Sequence, residues 1–189
     1  MKAYAKRLRR EHALVALTID SMTTIVDLEL RQATRDDVHE IADAHRDSIR
    51  HLGGRFYPEP VVSEWAGAVN PALYLAAMDG GEEFFIACGI VSGRRLVLGF
   101  SSDYRIRDTT HGTSAYVRPV AARRQIGSRL LSMAESFGIA RGARSVEIEA
   151  ALGAVEFYRA NGFVETGRGE VSLRSGFAMP CVFMRKDLG

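Results

Sequence analysis

Tyr116-Val117-Arg118-Pro119-Val120-Ala121-Ala122-Arg123-Arg124-Gln125-Ile126-Gly127-Ser128-Arg129-Leu130-Leu131 decides how the chain is read. It is the end of a strand, a basic turn and the start of a helix. Thr113 to Val117 is rich in β-formers and Pro119 stops it. From Ile126 the apolar positions Ile126, Leu130, Ala134 and Phe137 recur at helical spacing, and Gly142 follows as a C-cap. The first amides of a helix have no intrahelical partner and point outward together, and the macrodipole adds partial positive charge there. Such a terminus is an anion site, with pyrophosphate as a natural guest. Arg123 and Arg124 add to it, and Gly127 permits close approach to the backbone. The same stretch also reads as an ordinary strand–helix unit with a solvated basic turn, so it needs support from the rest of the chain.

Working outward, Asp27 to Arg31 alternates as a strand, and Thr34-Arg35-Asp36-Asp37 opens a helix with the seam Val38, Ala42, His45, Ile49 and Leu52, stopped at Gly53-Gly54. A short helix is expected near Val61 to Val69. Phe84 to Val91 is apolar on both faces and reads as a buried strand, turning at Ser92-Gly93 into Leu96 to Phe100. After the central helix come a strand at Ser145 to Glu149, a short helix at Ala154 to Asn161 closed by Gly162, and two strands near Phe163 to Leu173 and Cys181 to Lys186. This succession predicts a mixed sheet with helices packed on it.

The chain has 189 residues, enough for one full core, and 47% of them are hydrophobic, which excludes a disordered chain. With 25 basic against 23 acidic residues the formal charge is +2, and no basic stripe is interleaved with aromatics, which argues against a nucleic-acid partner. Only Lys2, Lys6 and Lys186 are lysines; the other basic residues are arginines, whose planar forks suit phosphate and carboxylate. Thr109 to Ala134 holds Arg118, Arg123, Arg124 and Arg129 and no acid. Two cysteines, Cys88 and Cys181, make neither a disulfide framework nor a metal cage, so no metal is expected. Reduced thiols fit a cytoplasmic location. No apolar run reaches the roughly 18 residues of a membrane span. Residues 1–26 read as a basic appendage with a surface helix, and 27–189 as the domain; Lys6 to Leu17 resembles a signal peptide only in outline, since its apolar part is short and no small-x-small cleavage site follows. Surface packing and a homodimer contact are the two roles left open for the appendage.

Two motifs together resemble the GNAT family, the acetyl-CoA-dependent N-acetyltransferases related to Gcn5. Val117-x-Pro119 followed by Ile126-Gly127-Ser128-x-Leu130-Leu131 is similar to that family's Val-x-Pro strand end and Arg/Gln-x-x-Gly-x-Gly/Ala turn. Ala154-Val155-Glu156-Phe157-Tyr158-Arg159-Ala160-Asn161-Gly162-Phe163 resembles its Ala-x-x-Phe-Tyr-x-x-x-Gly-Phe. Ala122 stands where the family has its leading Arg/Gln, Gln125 at its middle Gly, and Gly153 at the Asn that often precedes the second motif. The resemblance covers roughly residues 27–188, and two spaced motifs in order are far more specific than one. It implies an α/β fold of mixed α+β type: a mixed, mostly antiparallel sheet with splayed fourth and fifth strands and helices on both faces.

It further implies transfer of an acetyl group from acetyl-CoA to a primary amine, on a small molecule or a peptide, by direct attack. Val117, Arg123, Arg124, Gln125, Ile126, Gly127 and Ser128 would bind the co-substrate. Tyr158 would give a proton to the departing thiolate. The expected fourth strand carries no carboxylate, so His111, Asp103 and Glu149 are the candidates for the base, with water as the alternative; Glu149 faces the groove if the fold holds. His45, Tyr57 and His51 are candidate acceptor contacts, since the first two helices border the acceptor site in this fold; Trp65 reads as core. The rival reading is a GNAT-like module that binds acyl-CoA as a regulator with little or no turnover.

Overall fold

A computed structural model describes residues 23–189; most of the basic appendage lies outside them. The elements are β1 (Ile25–Gln32), α1 (Val38–Gly53), α2 (Glu59–Ala68), α3 (Pro71–Asp79), β2 (Glu83–Val91), β3 (Arg94–Arg107), β4 (Thr110–Val117), α4 (Ile126–Ala140), β5 (Ser145–Ala151), α5 (Val155–Ala160), β6 (Val164–Ser172) and β7 (Ala178–Asp187). The seven strands form one sheet in the order β1-β2-β3-β4-β5-β7-β6. Every neighbouring pair is antiparallel except β4 and β5, which run parallel.

Strand β2 is apolar on both faces because both are covered. Phe84, Ile86 and Cys88 pack with Phe100 and helices α1–α3 on one side. Phe85 and Ala87 pack with Leu98 and the Ile126, Leu130 and Ala134 stripe of α4 on the other. A third cluster joins Leu131 of α4 to Val146, Tyr158, Phe163, Val182 and Met184. Ser92 and Gly93, both at positive φ (50° and 77°), make the tight turn between β2 and β3. The α1 entrance follows the capping pattern: Asp37 accepts from the Thr34 amide at 2.8 Å and from the Arg31 guanidinium at 2.7 and 2.8 Å. That Arg31 contact, first among its causes, lowers the Asp37 carboxyl to about 2.

Strands β3 and β4 pair from Gly99–Val117 to Arg107–Thr110. Strands β4 and β5 pair only at Thr110–Ser145, His111–Val146 and Gly112–Glu147. Beyond that point they diverge, while β7 continues to pair β5 out to Ala151. The sheet therefore opens into a V whose arms are each backed by an antiparallel neighbour.

Two elements differ from the sequence reading. Strand β3 runs on past Phe100 to Arg107, and Pro71–Asp79 forms α3 where no helix was assigned.

Candidate active site

The open V continues into a cleft of about 560 Å³. At one end is the start of α4. After Arg118 the chain makes a short 3-10 turn over Pro119–Ala121, then places Arg123 and Gln125 in the left-handed region (φ 57° and 61°). Gln125 is the helix N-cap and makes no side-chain capping bond. The Arg129 amide bonds the Gln125 carbonyl at 3.0 Å, so the amides just before it lie outside the intrahelical ladder. Val117, Arg123, Gln125, Ile126, Gly127 and Ser128 all line the cleft. A Cβ on Gly127 would lie 3.1 Å from Phe157 and 3.3 Å from Val117, so this glycine also lets α4 pack close to α5 and β4.

The arginines divide by task. Arg118 is mostly buried and bonds the Val97 carbonyl at 2.7 Å and the Asp47 carboxylate, tying the loop to α1 and β3. Arg123 and Arg124 are exposed; Arg123 lines the cleft, whereas Arg124 lies outside the lining and donates to the Thr23 carbonyl at 2.6 Å. An exposed cation contributes about 1 kcal/mol or less, so the convergent amides dominate the attraction for an anion and the arginines supplement it.

Tyr158 projects from α5 toward β4. Its ring is buried against Phe157 and Phe163, and its hydroxyl oxygen accepts the Ala115 amide at 3.1 Å. Ala115 lies beyond the last β4–β5 pair, so the phenol stands where the strands diverge; Tyr158 is not itself part of the cleft wall, to which it is joined through Ala115 and Phe157, both of which line it. Burial raises its pKa, leaving the proton available for donation at any physiological pH.

The opposite end of the cleft is aromatic. Tyr57 follows α1; its hydroxyl donates to the Pro180 carbonyl and accepts the Leu152 amide, both at 2.8 Å. Trp65 of α2 is half-buried and lines the cleft rather than the interior alone. Its ring meets Tyr57 at 6.1 Å and Tyr116 at 6.5 Å, both edge-on. Strand alternation puts Tyr116 on the face of β4 opposite Ala115, where it stacks on Phe100 at 5.3 Å. Burial pushes its phenol up to about 12. Ser48, Ile49, His51, Leu52 and Gly53 of α1 complete this end, and His51 brings an imidazole to it. Tyr116, within the deciding stretch, and Leu52, on the α1 seam, carry no site role in the sequence reading; the alternation at Tyr116 and the place of Leu52 beside Gly53-Gly54 were signals for one.

The remaining sequence candidates lie elsewhere. His45 does not line the cleft. It stands behind Tyr116 at 3.8 Å between centroids, shares a 2.7 Å hydrogen bond with the Tyr74 hydroxyl, and is pushed down to about 3 by burial. Glu149 is exposed opposite Phe183 of β7, also outside the lining. His111 and Asp103 form a buried pair at 2.8 Å against Gly138 on the α4 side of the sheet, and burial raises the Asp103 carboxyl. Cys88 and Cys181 are buried, their thiols raised chiefly by desolvation. Glu82, not singled out from the sequence, also has a carboxyl raised by burial; it sits near Ser102, whose hydroxyl is 2.8 Å from that of Ser114 on β4. Gly153 has a local reason: a Cβ there would lie 2.8 Å from the Phe56 ring.

The uncapped helix end, the V and Tyr158 are the features that the two sequence motifs predict together. A model of the acetyltransferase (GNAT) domain matches residues 54–188. The chain belongs to the GNAT family. A GCN5-related N-acetyltransferase from Rhodopseudomonas palustris is 26% identical, with a TM-score of 0.71 over 87% of this chain and 98% of that one. PaiA N-acetyltransferase from Thermoplasma acidophilum, solved with coenzyme A, is 18% identical and gives 0.66 over 86% and 99%. A phosphinothricin acetyltransferase from Sinorhizobium meliloti, solved with acetyl-CoA, is 23% identical and gives 0.61 over 86% and 89%. No curated protein matches the sequence. This GNAT chain is thus an acyltransferase with a mixed, mostly antiparallel sheet. Among the described residues no helix is long and apolar enough to cross a membrane.

Proposed function

We propose that this GNAT chain moves an acetyl group from acetyl-CoA to a primary amine by direct attack, with no covalent enzyme intermediate. The observation that carries the reading is the V between β4 and β5, with the uncapped α4 terminus at its mouth and the Tyr158 hydroxyl bonded to the Ala115 amide where the strands part. The residues present fit the co-substrate. Amides from Arg123 to Ser128 and the Arg123 guanidinium would take the pyrophosphate, with Arg124 adding charge from just outside the wall, and the β4 backbone at Ala115–Val117, unpaired toward β5, would bond the pantetheine arm. Bound acetyl-CoA supplies an activated acyl group on a thiol leaving group.

The chain's own part is positioning and one proton. An amine nitrogen held against β4 forms the C–N bond as the C–S bond breaks. The nitrogen releases one proton to water, Tyr158 gives its proton to the departing sulfur, and water returns a proton to the phenolate. Neither buried cysteine lines the cleft, which favours direct attack over an acyl-enzyme. Their reduced, buried state also supports a cytoplasmic setting.

Calorimetry with acetyl-CoA and a thiol-release assay over a panel of amines test this. We expect binding and turnover. No detectable binding of acetyl-CoA or CoA by the full chain would overturn the reading. Binding without turnover of any amine would favour the regulatory module, which Gln125 in a left-handed position where the family has glycine also favours.

A further inference from the structure

We propose that the acceptor is an arylalkylamine: a small primary amine on a short chain, carrying an aromatic ring and no acidic group. This rests on the acetyl-transfer reading and assigns the acceptor end of the same cleft.

The argument starts from strand alternation. Tyr158 reaches Ala115 from the α5 side of β4, whereas Tyr116 presents its ring on the other side. With the leaving thiolate next to Tyr158, the nucleophile comes from the Tyr116 side. There Tyr57, Trp65 and Tyr116 form a box of edge-on rings, closed by Ile49 and Leu52. The rings are held from behind: Tyr57 by its two hydrogen bonds, Tyr116 by Phe100 and His45. An edge-to-face box of this kind suits another aromatic ring.

Charge says what is refused. The ionisable side chains on the cleft wall are Arg123 and Glu156, at the α4 and α5 end, and the exposed imidazole of His51 on α1 beside Leu52; the three rings, Ile49 and Leu52 contribute neither a cation nor a carboxylate. Of the nearby arginines, Arg46 bonds the Val69 carbonyl and Asp43, Arg118 bonds Val97 and Asp47, and the exposed Arg50 and Arg55 lie outside the lining. An amino-acid carboxylate would enter the box unpaired, and a polyamine's second ammonium would find no counter-charge. The same apolar surroundings lower the pKa of a bound ammonium and so supply the neutral amine that attack requires. That accounts for a cleft whose acceptor end has no carboxylate base. Tyr116 lines the cleft, and its hydroxyl can accept an N–H of the incoming amine. The cleft, at about 560 Å³ including the space for the pantetheine arm, suits a small acceptor.

Steady-state kinetics of the full chain should compare phenethylamine, phenylalanine and spermidine at saturating acetyl-CoA. Phenylalanine is phenethylamine plus a carboxylate, so the pair isolates the charge. We expect kcat/KM for phenethylamine to exceed both others by about 10²-fold. Trp65→Ala should raise the phenethylamine KM about tenfold with the acetyl-CoA KM unchanged. Tyr116→Phe keeps the ring, guards against a folding defect in the first variant, and should lower kcat/KM for phenethylamine about three- to tenfold. A preference for phenylalanine or spermidine, an equal loss in both KM values, or intact acetyl-CoA binding with no turnover of phenethylamine overturns the acceptor assignment and leaves co-substrate binding standing. Failure to bind acetyl-CoA is a separate outcome that overturns the acetyl-transfer reading, and this assignment with it.

Discussion

The two ends of the cleft are built on opposite plans. The α4 end is backbone chemistry, made by eleven consecutive residues from Arg118 to Ser128: a turn, two left-handed residues and the unpartnered amides of one helix. The aromatic end is side-chain chemistry, assembled from α1, the loop after it, α2 and β4, whose contributing residues lie far apart in the chain. The first plan tolerates exchange of side chains because the amides remain whatever the residue, which is how Ala122 and Gln125 can stand where the family has other residues. The second plan is only as specific as its rings.

The sharpest division between the ends should come from Tyr158→Phe. The ring and its packing stay while the proton donor goes, so kcat should fall by about 10²–10⁴-fold with little change in acetyl-CoA affinity. The lost bond from the Ala115 amide should cost about 1 kcal/mol of stability at most. Wild-type turnover with chemistry rate-limiting would make Tyr158 a packing residue.

A pH series separates the ends next. Burial, the main cause, holds the His45 pKa at about 3 against an ordinary 6.5. The unfolded chain therefore takes up a proton that the folded chain refuses. This part of the stability is complete above about 6.5 and is lost as pH falls toward 3, at about 1.4 kcal/mol per unit. His45→Gln should flatten the acid limb of a urea-denaturation series between those values, and an unchanged slope would contradict it. Arg123 and Arg124 face the opposite trial: replacing both with Ala should raise the acetyl-CoA Kd about tenfold in calorimetry and leave the acid limb alone.

Smaller effects test the backbone plan itself. Gln125→Gly relieves a left-handed residue and should add about 0.4–1 kcal/mol of stability in thermal unfolding, with acetyl-CoA binding tightened rather than weakened. The smallest change is expected on removing residues 1–21. We propose that this appendage is dispensable for acetyl-CoA, so calorimetry on a chain starting at Met22 should give a Kd within about twofold of the full chain, the Arg124–Thr23 contact being kept. A folded truncation that no longer binds would reverse that.

What the sequence made legible follows the same division. The α4 end could be read because its parts are contiguous and each has a local cause: Pro119 stops a strand, Ile126 starts an apolar period, Gly127 stays small. The aromatic end could not, because no local pattern brings Trp65 to Tyr116. Trp65 looked like core for the reason that makes it a wall: it is half-buried on a helix. Helix α3 went unassigned because Ala72 to Met78 is nearly all apolar and shows no helical period; Asn70-Pro71, a proline at the first helical turn, was its one signal. The far half of β3 was hidden by polar residues, Ser101, Ser102 and Asp103, that are buried all the same. Their partners, the Leu130 carbonyl at 2.7 Å, Ser114 at 2.8 Å and His111 at 2.8 Å, come from α4 and β4. Burial of polar groups is readable only once the partners are in place.

The short seam between β4 and β5 has a mechanical meaning. Three register pairs form the joint of a pair of tweezers, and the joint is pinned: Thr110 and Ser145 share a hydroxyl contact at 3.1 Å, and His111 is clamped to Asp103 beside it. Each arm is splinted along its outer edge, β4 by β3 and β5 by β7. The gap is thus held open by the frame rather than wedged open by its guest. Entry requires no strands to be unzipped, and the frame keeps its gauge from one catalytic cycle to the next.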